Sequence, residues 1–444
     1  MTVIGTGYLG ATHAACMAEL GHEVLGVDVD EHKIEALKNS KVPFFEPGLP
    51  EVLERNIDAG RLSFTTDYAE AAAFARVHFI GVGTPQQRGS YAADTRYVEA
   101  VIDDLVPQLE GEHLILGKST VPVGTAAALQ KRADKLVAEY GHKATVEIAW
   151  NPEFLREGYA VQDTIEPDRI VLGVRGAGAT RAEEVAREVY ATPLANNTPF
   201  IVTDLQTAEL VKVSANAFLA TKISFINAVS EVCEIVGADV TQLADAIGYD
   251  DRIGRKFLGA GLGFGGGCLP KDIRAFMARA GEVGADQALT FLREVDAINM
   301  RRRQRVIDLA REELGSLIGR NITVLGASFK PNSDDVRDSP ALAVAGQLNL
   351  AGASVRVYDP QGLDNARKVF PTLDYAASLE DALTGAELVI LATEWQEFKE
   401  MDPVWAAKLV ERQVLIDGRN VLPVAEWQNA GWQLRALGRS LGDN

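Results

Sequence analysis

Cysteine is scarce. The 444 residues hold three, Cys16, Cys233 and Cys268, without paired spacing, which excludes a disulfide scaffold and fits a reducing cytoplasm. Histidine is nearly as rare: His13, His22, His32, His78, His113 and His142 show no metal-ligand spacing, so no metal is expected. Basic charge is outnumbered, with 44 Lys and Arg against 62 Asp and Glu and a net charge of −18, which argues against nucleic acid or an anionic membrane as partner. No run of about 18 apolar residues is present to span a bilayer, and the opening "MTVIGTGYLG" has neither a basic region nor an apolar signal core. A soluble cytoplasmic protein is expected. What is abundant is glycine, 40 residues, and apolar side chains, 47% of the chain, enough for about three domains with cores of their own.

The glycines are placed with purpose. Val3 and Ile4 run straight into Gly5, Gly7 and Gly10, a G-x-G-x-x-G turn, and a helical stretch from Ala11 to Leu20 follows. Such glycines serve a tight turn, close approach of a pyrophosphate, and packing of helix on strand. The next strand, "HEVLGVDVD", brings Asp28 near the distance at which an acid hydrogen-bonds a ribose 2′-hydroxyl, so NAD is expected rather than NADP. Further strands at Val77 to Pro85, His113 to Pro122 and Thr145 to Leu155 end in polar loops. In a doubly wound sheet these strand ends face the ligand, which makes Thr84, Thr120 and Glu153 candidates, although each is also an ordinary turn residue.

From Asp204 to about Val236 the chain has neither proline nor glycine, and its composition predicts one long helix, a spine carrying Lys212 and Asn216 four apart on one face. Lys212 also has Glu209 within helical reach as a plain surface partner. A second alternation of strands and helices begins at "NITVLGASFKP" and predicts another parallel sheet. Its first turn, Gly326 to Lys330, lacks the three glycines, so a second dinucleotide held in the same way is not expected. Lys330, Arg337 and Arg419 follow strand ends and are candidates for binding phosphate.

Between the spine and the second sheet lies "GLGFGGGCLPKD", Gly261 to Asp272. Pro270 suits a first helical turn, placing Cys268 at a helix N-terminus with Lys271 nearby, where a thiolate is favoured. A nucleophile and a structural turn cysteine both remain open on this stretch alone.

Taken together, "GTGYLG", "PFFEPGL", "VGTP", "KSTVPVGT", "NPEFLREG", "KVSANAFLATKISFIN", "DDRIGRKFLGAGLGFGGGCLPKD", "FKPNSDDVRDSP" and "DGRN" resemble, in order, the UDP-glucose/GDP-mannose dehydrogenase family over nearly the whole chain. The resemblance implies an α/β fold of two Rossmann-like doubly wound parallel-sheet domains joined by a long central helix. It divides the chain into an NAD-binding domain at 1–203, a central helical dimerisation region with the cysteine loop at 204–305, and a nucleotide-sugar-binding domain at 306–444. The implied activity takes the C6 alcohol of UDP-glucose to a carboxylate with two NAD, supplying polysaccharide synthesis; GDP-mannose and UDP-N-acetylhexosamines are alternatives. Cys268 becomes the nucleophile, Lys212 and Asn216 oxyanion donors, Asp272 the acid beside the cysteine, Glu153 a general base through water, and Thr120 the holder of that water. Cofactor residues carried over are Gly5, Gly7, Gly10, Asp28, Lys33, Thr84, Thr120, Glu157 and Arg337. Those for the sugar nucleotide are Phe154, Leu155, Lys212, Asn216, Phe257, Gly265, Lys330 and Arg419, with Arg252 reaching in from a second copy, so that a homodimer is the smallest expected assembly. Met1 stands only four residues before Gly5, so a short first strand is expected. Two-electron hydroxyacid dehydrogenases share the first domain but need no nucleophile. Loss of the nucleophile would have pointed to an NAD-sensing or scaffold protein without activity, but every matched catalytic position is filled.

Overall fold

The computed structural model describes residues 1–140, 144–176 and 180–439. The chain forms two compact units, one of residues 1–215 and 274–284, the other of residues 216–273 and 285–444.

The first unit carries, among the described residues, eight strands: β1 (Thr2–Ile4), β2 (Val24–Val27), β3 (Leu62–Thr65), β4 (Val77–Ile80), β5 (Gly111–Gly117), β6 (Ala144–Trp150), β7 (Ile170–Val174) and β8 (Phe200–Asp204), in the order β3-β2-β1-β4-β5-β6-β7-β8. Six pair in parallel; β7 meets β6 antiparallel and β8 runs parallel to β7. Successive strand residues serve opposite faces. Val3 joins one buried cluster with Ala14 and Leu53, whereas Ile4 joins another with Val98 and Leu129. Helices therefore cover both faces, as a parallel sheet requires. Strand β1 is short, three residues, yet wholly buried.

The second unit repeats the plan with β9 (Asn321–Leu325), β10 (Ser354–Tyr358), β11 (Asp374–Tyr375), β12 (Leu388–Leu391), β13 (Val414–Asp417) and β14 (Gln433–Ala436), ordered β11-β10-β9-β12-β13-β14 and all parallel. Ile322 and Val324 face one core, Leu325 and Val389 the other.

A single helix, Leu205–Val236, gives its first turns to one unit and the rest to the other. Its 32 residues make it about 48 Å long. Among the described residues no helix is long and apolar enough to cross a membrane.

Candidate active site

In the first unit the nucleotide features gather at the carboxyl ends of the strands. Gly5 has φ 90° and donates its N–H to Val27 O at 2.7 Å. A Cβ on Gly10 would lie 1.7 Å from Gly5 O, and one on Gly5 would strike Val82 at 2.6 Å. Gly7 differs, since a Cβ there would meet nothing within 4 Å. It precedes helix Tyr8–Glu19 and supplies no side-chain cap, so the first N–H groups of that helix face open space. Asp28, directly after β2, accepts from Thr6 N at 2.7 Å, Thr6 Oγ1 at 3.0 Å and Lys33 Nζ at 2.9 Å. Burial would raise its pKa, but these bonds outweigh burial and hold the carboxyl below its ordinary value. A cavity of about 570 Å³ includes Gly5, Gly7, Asp28 and Lys33 in its wall. An uncapped helix end, a turn with no room for a side chain at Gly5 and Gly10, and an ionised acid fit the pyrophosphate and ribose of NAD.

The loops beside this cavity are tied together. Thr84 Oγ1 donates to Thr120 O at 2.6 Å, joining the loops after β4 and β5. Glu46, buried, accepts from Tyr8 of the glycine turn and from Gly158 N at 2.6 Å and Ala160 N at 2.7 Å, fixing the loop that holds Glu157. The motif "PFFEPGL" thereby gains a structural use.

Lys212 pairs with Glu153, Nζ to Oε1 at 2.9 Å, both side chains largely buried. It does not pair with Glu209. That carboxylate accepts from Gly124 N and Ala126 N, each at 2.7 Å, at the start of helix Thr125–Tyr140. Burial pushes Glu209 up to about 6 against those bonds. The other oxygen of Glu153 accepts from Leu155 N at 2.6 Å, and the ring of Phe154 carries the Arg169 guanidinium 3.8 Å from its centroid. Behind Glu153 lies a residue the sequence reading passed over, Lys118 of "KSTVPVGT", buried against Asn151 and Tyr190. The one signal for it was a lysine directly after an apolar strand.

In the second unit the cysteine loop is built from below. Asn299 accepts from Phe264 N at 2.8 Å and donates to Phe264 O at 2.9 Å, while Asn227 Oδ1 accepts from Gly261 N at 2.9 Å. Gly263, Gly265, Gly266 and Gly267 have no room for a Cβ, which would lie 2.2 to 2.8 Å from Asn299, Asp338, Phe329 and Arg337 respectively. Helix Leu269–Glu282 starts one residue after Cys268, and Asp272 N donates to Cys268 O at 2.8 Å. Cys268 is exposed, whereas Cys16 and Cys233 are buried. Burial drives the Cys16 thiol up to about 12 and raises Cys233 as well. Asp272, 1% exposed, accepts from Asn216 Nδ2 at 2.6 Å and pairs with Lys271 at 2.7 Å.

The other expected residues of this unit are placed as follows. Arg337 lies against Gly267, forks onto Asp335 at 2.6 and 2.9 Å, and accepts from Gly266 N through its carbonyl. Arg419 donates to Gly263 O at 2.9 Å and Ala392 O at 2.7 Å; its Nη2 is buried without a hydrogen-bond partner, which suits an anionic ligand. Lys330 stands over the Phe329 ring. Phe257, φ 66°, is half-exposed, and Asn332, Asp338 and Asn420 share its left-handed backbone, so strain collects in these loops. Arg252 is exposed and forked onto Asp250. Among the described residues no group of three or more His, Cys, Asp and Glu side chains stands ready for a metal ion.

Comparison with known proteins matches three domain models of the UDP-glucose/GDP-mannose dehydrogenase family: the NAD binding domain over residues 1–194, the central domain over 206–301 and the UDP binding domain over 323–424. The chain is 43% identical to a UDP-glucose 6-dehydrogenase of Rhizobium meliloti, covering 99% of each chain. It is 40% identical to UDP-glucose 6-dehydrogenase TuaD of Bacillus subtilis, covering 99% of this chain and 93% of that one. A solved UDP-glucose dehydrogenase from Pyrobaculum islandicum is similar with TM-score 0.89 at 39% identity, covering 99% of this chain and 97% of the other.

Proposed function

Because the chain belongs to the UDP-glucose/GDP-mannose dehydrogenase family, we propose that it oxidises the C6 alcohol of UDP-glucose to the carboxylate of UDP-glucuronate, a precursor for polysaccharide synthesis. It is an oxidoreductase and its cofactor is NAD. When bound, NAD supplies the hydride acceptor for both oxidations. Gly5, Gly7, Gly10, Asp28, Lys33, Thr84, Thr120 and Glu157 would hold it, with Arg337.

The chain's own residues do the rest. Glu153 acts as general base through a water held at Thr120. Lys212 and Asn216, one turn apart on the long helix, donate to the C6 oxygen as charge develops there. An aldehyde does not readily give up a hydride, so Cys268 adds its sulfur to the carbonyl carbon and forms a thiohemiacetal. Loss of a hydride and a proton leaves a thioester; water then cleaves the carbon–sulfur bond and restores the thiol. Phe154, Leu155, Phe257, Gly265, Lys330 and Arg419 are assigned to the sugar nucleotide.

The observation that carries this reading is the placement of Cys268: exposed, at a helix start, one turn before an Asp272 that Asn216 holds. Purified protein should form two NADH per UDP-glucose and little from GDP-mannose or UDP-N-acetylhexosamines. Cys268→Ser should lose carboxylate formation by about a thousandfold or more while still binding NAD. Full turnover by that variant would remove the covalent route, and one NADH per sugar would make the protein a simple alcohol dehydrogenase.

Two copies are also part of this reading. Phe218, Phe225, Val232 and Ile235 share one helical face and are 53 to 85% exposed. Lys222, on the same face, donates to Ile253 O at 2.8 Å and holds the loop of Arg252. Light scattering should give a dimer or larger; a Phe225→Glu variant should shift it toward monomer and lose activity with it.

A further inference from the structure

Lys118 is the first residue after β5, and it is 7% exposed. Its Nζ donates to Asn151 Oδ1 at 3.0 Å and to the Tyr190 hydroxyl at 3.2 Å, and it sits 5.7 Å from the Phe79 ring centroid. None of its hydrogen-bond partners is a carboxylate. An ammonium buried among neutral groups is costly, so a site that keeps one has been built around it. Asn151 is itself fixed, accepting from Tyr190 at 2.6 Å and donating to Val171 O at 2.8 Å, and it opens the turn that ends in Glu153.

A cavity of about 40 Å³ connects these groups, with His13, Lys118, Asn151, Glu153 and Tyr190 in its wall. That is room for a water. His13 Nε2, buried and without a hydrogen-bond partner, gives such a water a further polar contact. The charges acting on Lys118 are Glu153 and Lys212; Asp163, Asp168 and Arg169 also line the cavity, Asp163 being held by Arg156. His13 is kept neutral by burial and by Lys118, and burial raises the Tyr190 phenol.

We propose that Lys118 is a positioning residue acting on the reaction through Glu153: its charged form holds the Asn151–Glu153 turn and leaves the Glu153–Lys212 pair one positive charge in surplus, and loss of its proton removes that surplus. The inference rests on the roles given to Glu153 and Lys212 above. A surplus charge favours the oxyanion at C6. Burial pushes Lys118 down to about 8, with Glu153 opposing and Lys212 assisting, so the change falls just above neutral pH.

The test is kcat with UDP-glucose from pH 6 to 10, read as NADH, for the full-length protein and for Lys118→Met. The unaltered protein should lose about tenfold as pH rises through about 8, the effect of one nearby charge. Lys118→Met should be lower by a similar factor below pH 8 and flat above it, with melting temperature and NAD affinity held. Tyr190→Phe removes one acceptor of the ammonium and should move the limb about one pH unit downward. A limb that persists in Lys118→Met, an unaltered protein without a limb, or a Tyr190→Phe limb that stays in place when Lys118→Met does not fold, each overturns the inference. Silence of the unaltered protein on every sugar overturns the proposed function and this inference with it, whereas one NADH per sugar overturns only the covalent route.

Discussion

The two sheets begin alike and part at their first turn. Gly5 and Gly326 both have positive φ, 90° and 119°, and both donate to the end of the neighbouring strand at 2.7 Å. Each second strand is followed directly by an aspartate, Asp28 or Asp359. In the first unit the chain passes from the turn directly into helix Tyr8–Glu19, whose end no side chain caps. In the second, residues 328–339 intervene before helix Pro340–Leu350, which Ser339 caps. Asp359, 1% exposed, accepts from Ala327 N, Ser328 N, Ser328 Oγ, Gln361 N, Gly362 N and Trp395 Nε1, at 2.7 to 3.1 Å. Both turns bond an aspartate of their own chain, Asp28 through Thr6 alone, but only the first leaves an uncapped helix end for an outside anion. The same strand order supports either result, and twelve residues decide which.

Single substitutions should affect the two turns differently. Gly10→Ala should cost more than about 4 kcal/mol or prevent folding of the first unit, because its Cβ meets backbone at 1.7 Å; chemical denaturation measures this. Asp359→Ala should cost about 3 kcal/mol or more, each orphaned buried donor being worth about 1–3 kcal/mol, with hydrogen exchange rising in the second unit alone. Gly7→Ala separates binding from folding. Its melting temperature should match the unaltered protein while NAD binding weakens about 10- to 100-fold by calorimetry, about 1.4–2.7 kcal/mol.

A further difference between the sheets concerns acid. At the opposite end of the first sheet Thr2 Oγ1, His78 and His113 form a buried chain of hydrogen bonds at 2.7 and 2.9 Å. The second sheet places Thr323 against Val389 where the first places Thr2 against His78. Burial holds His78 down at about 3, with His113 contributing. The unfolded chain takes up this proton first, near pH 6.5, so stability falls as pH drops from about 6.5 toward 3, by about 1.4 kcal/mol per pH unit. Denaturation at pH 7, 6, 5 and 4 should show the slope, reduced by one proton's worth in His78→Asn. An unchanged slope would mean the His78 pair is not the acid-sensitive group.

The long helix was legible because 32 residues without glycine or proline leave little else for the chain to do; its observed start, Leu205, falls one residue from the expected Asp204. Most interior strands announced themselves as apolar runs. Strands β3, β7, β8, β11 and β14 did not. Strand β8 is a half-exposed edge and β11 is two residues long, so neither offers a run to notice. In the candidate site the residue types were legible and their partnerships were not. Sequence distance suggested Glu209 for Lys212, but two backbone N–H groups claim Glu209, and the partner lies 59 residues back at Glu153. Asp359 follows a strand as Asp28 does; only packing shows that it fills the turn.

Asp359 is, in effect, a ligand that cannot be diluted. Its association is completed once, when the chain folds, and owes nothing to solution composition. The turn at Gly7 answers to mass action: at a hundred times its dissociation constant, NAD would add about 2.7 kcal/mol to the stability of the half that holds it. A melting temperature that climbs with NAD concentration would therefore report on the first unit, while the Asp359 turn keeps its hold whatever the concentration.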